Sequence, residues 1–337
     1  VMPHLAILSE LRDAGFDPHY VGSGGIEKDL ANKAQIPFHQ IATGKLRRYA
    51  SVDNFLDVFK IFLGFIQALV LVARLRPVVV FSKGGFVAVP VTIAAWFFRV
   101  PVVTHESDYS PGLANRIIAP FSKKILFTFP ETASYLSAAK AIHVGTPVRP
   151  ELFLGDSVRG RTFCQLSRGL PILLVMGGSQ GAQRINSALS IILPELLKTF
   201  DVVHLTGKGK SVPFAADGYR SFEFLGPELK DVFAAASLVV SRSGANSIFE
   251  LLALKKPMLL VPLEIGSRGD QVLNARSFVA HGWARSLSET QLTPELFLTA
   301  IQDTWTAASI ISNQQNEIAL QEVPRRIVEI LRQQCIV

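Results

Sequence analysis

A chain of 337 residues is too long for one ordinary domain and suits two α/β domains of common size. With 49% hydrophobic and 18% charged residues it has the material for well-filled cores, which excludes an extensively disordered protein. A net charge of +7 and a mean hydropathy of +0.32 point to a phosphate-bearing substrate or an anionic membrane surface; nucleic acid is not expected, since the basic residues are dispersed and no nucleic-acid module is present.

The sequence opens Val1-Met2-Pro3-His4, with no visible signal peptide, and runs into a helical pattern over 4–14 with Leu5, Leu8 and Leu11 on one stripe and Gly15 closing it. A strand over 19–22 and a helix over 26–33 follow. Doubly wound domains normally start with a strand, a glycine-rich turn and a helix, so an opening strand and its phosphate-facing turn are expected ahead of Val1. The segment 54–74 is a long apolar helix. Its longest apolar run, 61–73, is bounded by Lys60 and Arg74 and interrupted by Gln67. It falls short of the roughly 20 apolar residues a spanning helix needs. Lying on a membrane remains open to it.

After this helix the alternation is regular. Val78-Val79-Val80-Phe81 is a β-branched run of the kind buried in parallel sheets. A helix near 89–98, a strand over 102–104, a helix near 112–119 and strands over 125–127 and 142–144 follow. A two-proline link over 146–151 leads into a second cycle. There, strands are expected over 172–176, 202–205, 222–224, 238–240 and 258–261, with helices between and a last helix over 323–333. Strand–helix repetition with short links predicts parallel, doubly wound sheets with ligands at the strand C-terminal ends, in a cleft between two domains. Cys164 and Cys335 match no metal or redox spacing and read as free thiols. No histidine pair or His/Cys cluster has metal-ligand spacing.

Four loops at strand ends are candidates for chemistry. Met176-Gly177-Gly178-Ser179-Gln180-Gly181 ends a strand and opens a helix, so its backbone N–H groups suit a phosphate; a tight turn without a ligand would use the same glycines. Ser241-Arg242-Ser243-Gly244-Ala245-Asn246-Ser247 repeats the arrangement. Glu250, one turn on, either caps its own helix or accepts from both hydroxyls of a ribose. In the first half, Ser82-Lys83-Gly84-Gly85-Phe86 and His105-Glu106-Ser107-Asp108 follow two strands where an acceptor would enter. A purely structural role competes for His105, with Glu106 fixing its ring. Gly44-Lys45-Leu46-Arg47-Arg48-Tyr49, ahead of Phe59, Phe62 and Phe65, reads as a lipid-headgroup patch or as a solvated loop.

Taken together these segments resemble the MurG family of N-acetylglucosaminyltransferases, which convert lipid I to lipid II in peptidoglycan synthesis. The likeness is carried by Met2-Pro3-His4-Leu5-Ala6, the 44–49 stretch, Phe81-Ser82-Lys83-Gly84-Gly85-Phe86, His105-Glu106-Ser107-Asp108, Pro111-Gly112-Leu113-Ala114-Asn115 and Pro147-Val148-Arg149. It continues through Gly177-Gly178-Ser179-Gln180-Gly181, Ser241-Arg242-Ser243-Gly244 and Asp270-Gln271-Val272-Leu273-Asn274-Ala275. The wording is similar to that of Gram-positive, Bacillus-like members.

The resemblance implies a GT-B fold, two Rossmann-like domains facing across a cleft. Residues 1–150 and 315–337 would form the acceptor- and membrane-facing domain, and 151–314 the UDP-GlcNAc domain. It places Ser179 at a donor phosphate, Arg149 in the link as a UDP-GlcNAc-binding residue, Leu225 near the uracil, and Ala245, Asn246, Ser247, Ile248 and Phe249 at the diphosphate. Glu250 would hold the ribose and Gln271 the sugar hydroxyls, with Asn274 nearby. Gly84, Gly85, His105, Glu106 and Asp108 fall on the acceptor side; Asp108 stands where many relatives carry asparagine. The family's Gly-Gly-Thr-x-Gly-His loop would end just before Val1, so no catalytic base is assigned within 1–337.

The implied reaction is inverting transfer of N-acetylglucosamine to the C4 hydroxyl of the N-acetylmuramoyl unit, needing no bound metal or other cofactor. The implied place is the cytoplasmic face of the bacterial membrane. Two alternatives share the architecture: another GT-B enzyme, such as a glycolipid glycosyltransferase or a UDP-GlcNAc epimerase, and a non-catalytic UDP-sugar binder.

Overall fold

Every strand pairing is parallel in the computed structural model, which describes residues 2–43, 52–177, 182–210, 216–264, 269–316 and 319–335. The basic stretch 44–49 and the glycine-loop residues Gly178, Ser179, Gln180 and Gly181 lie outside the described residues, as does the Phe59 side chain. The chain divides into two units, Val1–Pro147 with Glu322–Val337, and Val148–Gln321.

The first unit contains α1 (Met2–Leu5), α2 (Leu8–Asp13), β1 (Tyr20–Gly22), α3 (Ile26–Lys33), β2 (Phe38–Gln40), α4 (Val52–Leu75) and β3 (Val80–Ser82). It continues with α5 (Ala88–Phe97), β4 (Val102–Glu106), α6 (Leu113–Ile118), β5 (Lys124–Phe127) and β6 (Ala141–His143). Strands β1 and β2 form one sheet, and β3-β4-β5-β6, in that order, another. The His4 ring lies edge-on to Tyr20 of β1, 5.4 Å between centroids, and to Phe81 of β3, 5.8 Å.

Helix α4 packs on α5 through Ala68, Val72, Val91 and Ala94, with Ile41 in the same cluster. Gly64, on the Ala68–Val72 stripe, comes so near the neighbouring chain that an added Cβ would sit 2.1 Å from the Ala42 carbonyl oxygen. The opposite stripe, Phe62, Ile66 and Val70 at four-residue spacing, is exposed.

The second unit contains α7 (Ser157–Phe163), β7 (Ile172–Met176), α8 (Gln183–Leu196), β8 (Asp201–Leu205), β9 (Tyr219–Phe222), α9 (Leu229–Ala235), β10 (Ala236–Ser241) and α10 (Ala245–Ala253). Then come β11 (Met258–Leu260), α11 (Asp270–Ala280), β12 (Arg285–Ser286), α12 (Pro294–Thr306) and α13 (Ala308–Gln315). The sheet order is β12-β11-β10-β7-β8-β9. The chain winds outward from β7 to β9, then crosses back to β10 and winds the other way. Its direction reverses between β7 and β10, and the core lies beneath, built from Leu173, Val175, Ile185, Leu189, Val202, Leu238, Val240, Phe297 and Ile301.

Helix α14 (Val323–Cys335) returns to the first unit and packs on α2. The unit boundaries thus fall at 147 and 322, where 150 and 315 are expected from the resemblance. Gln315 explains the second shift: its amide nitrogen donates to the carbonyls of Lys256 (3.0 Å) and Trp283 (2.8 Å), holding α13 in the second unit. Both cysteines are free.

Several element expectations need correction. The helix expected over 4–14 is broken into α1 and α2 at Ala6 and Ile7. The Val78–Phe81 run enters the sheet only at Val80, and Val78 is exposed. Strand β4 continues past Thr104 to Glu106, which puts His105 and Glu106 inside a fully buried strand and not in the loop after it. β9 sits at 219–222, three residues before its expected place. Strands β2 and β12, three and two residues long, are absent from the sequence reading.

Candidate active site

In an open parallel sheet, ligands bind beyond the C-terminal ends of the strands where the winding reverses. In the second unit those strands are β7 and β10. The two glycine–serine loops singled out in the sequence are the loops that follow them. Of the first, Met176 and Gly177 are described and Ser179 is not.

The loop after β10 is tied down from both sides. The guanidinium of the buried Arg242 donates to the carbonyls of Val261 (3.1 Å) and Pro262 (3.3 Å) and pairs with the buried carboxylate of Glu289. Ser243 donates its hydroxyl to the Gln271 carbonyl at 2.7 Å, while the buried Asn274 amide donates to the Ser243 carbonyl at 3.1 Å. The Gln271 side-chain oxygen accepts from the Leu263 N–H at 3.0 Å. The first turns of α10 and α11 and the segment after β11 are therefore one hydrogen-bonded assembly, with Asn274 and Gln271 among its ties.

Helix α10 starts from Gly244, extended at φ −67° and ψ 131°, and no side chain caps it. The Ile248 N–H already bonds the Gly244 carbonyl at 3.2 Å. This leaves the N–H groups of Ala245, Asn246 and Ser247 without partners among the described residues, a donor set that suits an anion. Asn246 is exposed and Ser247 half-buried, whereas the Ala245, Ile248 and Phe249 side chains are buried in the core. Leu225 lies half-buried in the turn between β9 and α9, beside the exposed Phe224.

Glu250 accepts two bonds from Arg149, Nε to Oε1 at 2.8 Å and Nη2 to Oε2 at 3.0 Å. The two residues are singled out separately in the sequence, 101 positions apart, and nothing local in either motif indicates that they meet.

In the first unit, His105 is wholly buried. Its Nε2 lies 2.8 Å from the Gly145 carbonyl, which can only accept, so Nε2 carries the proton and Nδ1 accepts from the Lys83 ammonium at 2.7 Å. Burial, assisted by the Lys83 charge, holds the ring well below the usual histidine range and keeps it neutral. The same burial pulls Lys83 down to about 7, against the opposing pull of Glu106 and Asp108. Lys83 is the residue that the sequence reading passed over here; it stood inside the Ser82–Phe86 motif.

Glu106 does not fix the His105 ring, because successive strand residues point to opposite faces. Its carboxylate accepts instead from the N–H groups of Asp108 (2.9 Å) and Gly112 (3.0 Å) and from the Asn115 amide (2.7 Å), shaping the loop in which Asp108 sits. Gly84 has φ +81°, and a Cβ there would stand 2.7 Å from the Asn115 side-chain oxygen, so only glycine fits that turn. Gly85, also at positive φ, is exposed. Among the described residues no group of three or more His, Cys, Asp or Glu side chains could hold a metal ion.

Comparison with known proteins is consistent across the chain. Residues 1–127 match the glycosyltransferase family 28 N-terminal domain and residues 172–328 the family 28 C-terminal domain. A UDP-N-acetylglucosamine--N-acetylmuramyl-(pentapeptide) pyrophosphoryl-undecaprenol N-acetylglucosamine transferase of Lachnoclostridium phytofermentans is 48% identical over 305 residues, 89% of this chain and 86% of that protein. The protein of the same name from Legionella pneumophila (strain Paris) is 45% identical and covers 99% of this chain and 93% of its own. The chain belongs to the MurG family. The crystal structure of Acinetobacter baumannii MurG, 22% identical, aligns with a TM-score of 0.73 over 98% of this chain and 95% of that one, a likeness of the GT-B fold. The chain is thus a family 28 glycosyltransferase with two parallel-sheet units.

Proposed function

We propose that this chain transfers N-acetylglucosamine from UDP-GlcNAc to the C4 hydroxyl of the N-acetylmuramoyl unit of lipid I, with inversion at the sugar C1, giving lipid II. The observation that carries the reading is identity of 45–48% over most of the chain to relatives named for that transfer. The switch-point geometry of the second unit supports it.

In this reading the second unit takes the donor. The diphosphate lies on the uncapped start of α10, against the N–H groups of Ala245, Asn246 and Ser247, with Ser179 assigned to a phosphate by the family resemblance; Leu225 borders the uracil, Glu250 receives the ribose hydroxyls, and Gln271 receives the sugar. As the C1–oxygen bond to the diphosphate breaks and the bond to the acceptor oxygen forms, negative charge grows on the leaving UDP. Preorganised N–H donors and a helix N-terminus are suited to that charge. UDP-GlcNAc enters as a substrate, and no separate cofactor is invoked.

The first unit takes the acceptor, with Gly84, Gly85 and Asp108 lining its approach and His105 and Glu106 bracing the two loops beneath. It also meets the anionic cytoplasmic face of the membrane, and nucleic acid is not a partner. The outward stripe of Phe62, Ile66 and Val70, with Trp96 and Phe97 exposed at the end of α5, supports a surface contact. Among the described residues no helix is long and apolar enough to cross a membrane.

Incubation with lipid I and UDP-GlcNAc, followed by mass analysis and linkage mapping of the product, tests the reading. One N-acetylhexosamine added at C4 is expected; an unchanged lipid, or epimerised UDP-GlcNAc, would overturn it.

A further inference from the structure

The inference rests on Glu250 as the ribose acceptor, and it concerns the partner that carboxylate already has. The Arg149 fork approaches through Nε and Nη2, one bond to each oxygen, 2.8 and 3.0 Å. Two such parallel bonds occupy the open edge of a carboxylate. The lone pairs that remain point outward on opposite sides, too far apart for two adjacent hydroxyls of one sugar ring. A ribose diol and the Arg149 fork therefore compete for one edge of Glu250.

Neither ion is easily left alone. The side chains are 16% and 15% exposed, so a guanidinium parted from Glu250 needs another anion nearby. Ala245 precedes Glu250 by five residues on α10, about 7.5 Å along the helix axis. Helix side chains lean toward the N-terminus of their helix, so the Glu250 carboxylate and the guanidinium it holds stand nearer to that start, and to an anion on its three N–H groups, than the axial rise alone implies.

We propose that Arg149 is a specificity-determining residue: on nucleotide binding it exchanges Glu250 for the donor diphosphate, so the site favours a nucleoside diphosphate over the bare nucleoside. The ribose takes the edge of Glu250 and the diphosphate takes the displaced cation. A nucleoside without phosphate breaks the same ion pair and offers Arg149 nothing in return.

Calorimetric titration of the full chain with uridine, UDP and 2′-deoxy-UDP tests this, using wild type, Arg149→Met and Arg149→Lys, each first confirmed as folded by thermal melting. Arg149→Met is expected to bind uridine about three- to tenfold more tightly and UDP about tenfold more weakly. Arg149→Lys, a point charge without the fork, should also gain for uridine but keep more of the UDP affinity; it carries the test alone if the methionine variant does not fold. Uridine affinity that falls or stays level, or UDP affinity that rises, overturns the exchange. The ribose assignment is read separately. Wild type that binds 2′-deoxy-UDP as tightly as UDP overturns the assignment and the exchange together, whereas a retained ribose preference with no gain for uridine overturns the exchange alone.

Discussion

In the second unit the residues of β7, β8 and β10 are buried on both faces of one six-stranded sheet, and the loop after β10 is tied through Arg242, Ser243, Gln271 and Asn274. The first unit has two smaller sheets, a five-residue buried cluster between α4 and α5, and an apolar stripe on α4 turned outward. Both units enclose polar groups at some cost: His105 and the unpartnered Nδ1 of His4 in the first, Asp201, His204 and the Arg242–Glu289 pair in the second. The difference teaches how the work is divided. Under the proposed division, a donor site is served by N–H groups held rigidly at a sheet's switch point, whereas the acceptor unit keeps an apolar stripe turned outward on α4.

The largest effect should come from the cores. Phe297→Ala in the second unit is expected to cost about 3–5 kcal/mol, since a fully buried aromatic leaves a cavity that a close-packed sheet cannot refill. Val72→Ala, in the smaller cluster, should cost about 1–2 kcal/mol. Urea unfolding of the two variants measures both, and equal losses would break the comparison.

Next in size is Glu250→Ala. Removing the carboxylate takes away the proposed ribose acceptor, while the Arg149 it frees can still meet the diphosphate, so the expected loss is that of the ribose bonds. Donor affinity should fall roughly a hundredfold, about 2–3 kcal/mol. Titration with UDP-GlcNAc reads this directly; unchanged affinity would remove Glu250 from the site.

How far the sequence foretold these features depended on how local their causes are. The five buried residues of β7 are a continuous apolar run, and the glycine after β10 marks the turn into α10, so the sheet of the second unit was legible. The Arg149–Glu250 pair was not, because it joins the front of the second unit to a helix a hundred residues on. β4 was cut short because hydropathy marks His105 and Glu106 as loop residues. They stay in the strand because Lys83, Gly145, Asn115 and two backbone N–H groups satisfy them there. β12, two exposed residues, owes its existence to pairing with β11 and carries no pattern of its own.

The exposed stripe offers a smaller, purely surface effect. Phe62→Ser with Val70→Ser should weaken binding to vesicles containing anionic lipid about tenfold, as two apolar contacts of about 1 kcal/mol or less each are lost. Stability should stay within about 0.5 kcal/mol of wild type, because both side chains are already exposed. Vesicle co-sedimentation and thermal melting give the two readings, and undiminished sedimentation would move the membrane contact elsewhere.

The last test lies in the pH dependence of stability, and it bears on the partly buried Lys83 of the first unit. Burial, opposed by Glu106 and Asp108, brings Lys83 down to about 7 from the ordinary lysine value of 10.5. Between those values the unfolded chain holds a proton that the folded chain has released, so stability should rise with pH across that window. Below pH 7 both states are protonated and the burial penalty is constant; above about 10.5 neither is, and the penalty vanishes. Lys83→Met removes the ionisable group and should flatten this rise. The variant also loses the hydrogen bond to His105 Nδ1, which displaces its whole stability curve but not its slope. Melting temperatures of both proteins from pH 6 to 10 should therefore diverge in slope, with wild type gaining on the variant as pH increases. Parallel curves would mean that Lys83 titrates in the first unit as an exposed lysine does, and that this unit carries no strained cation.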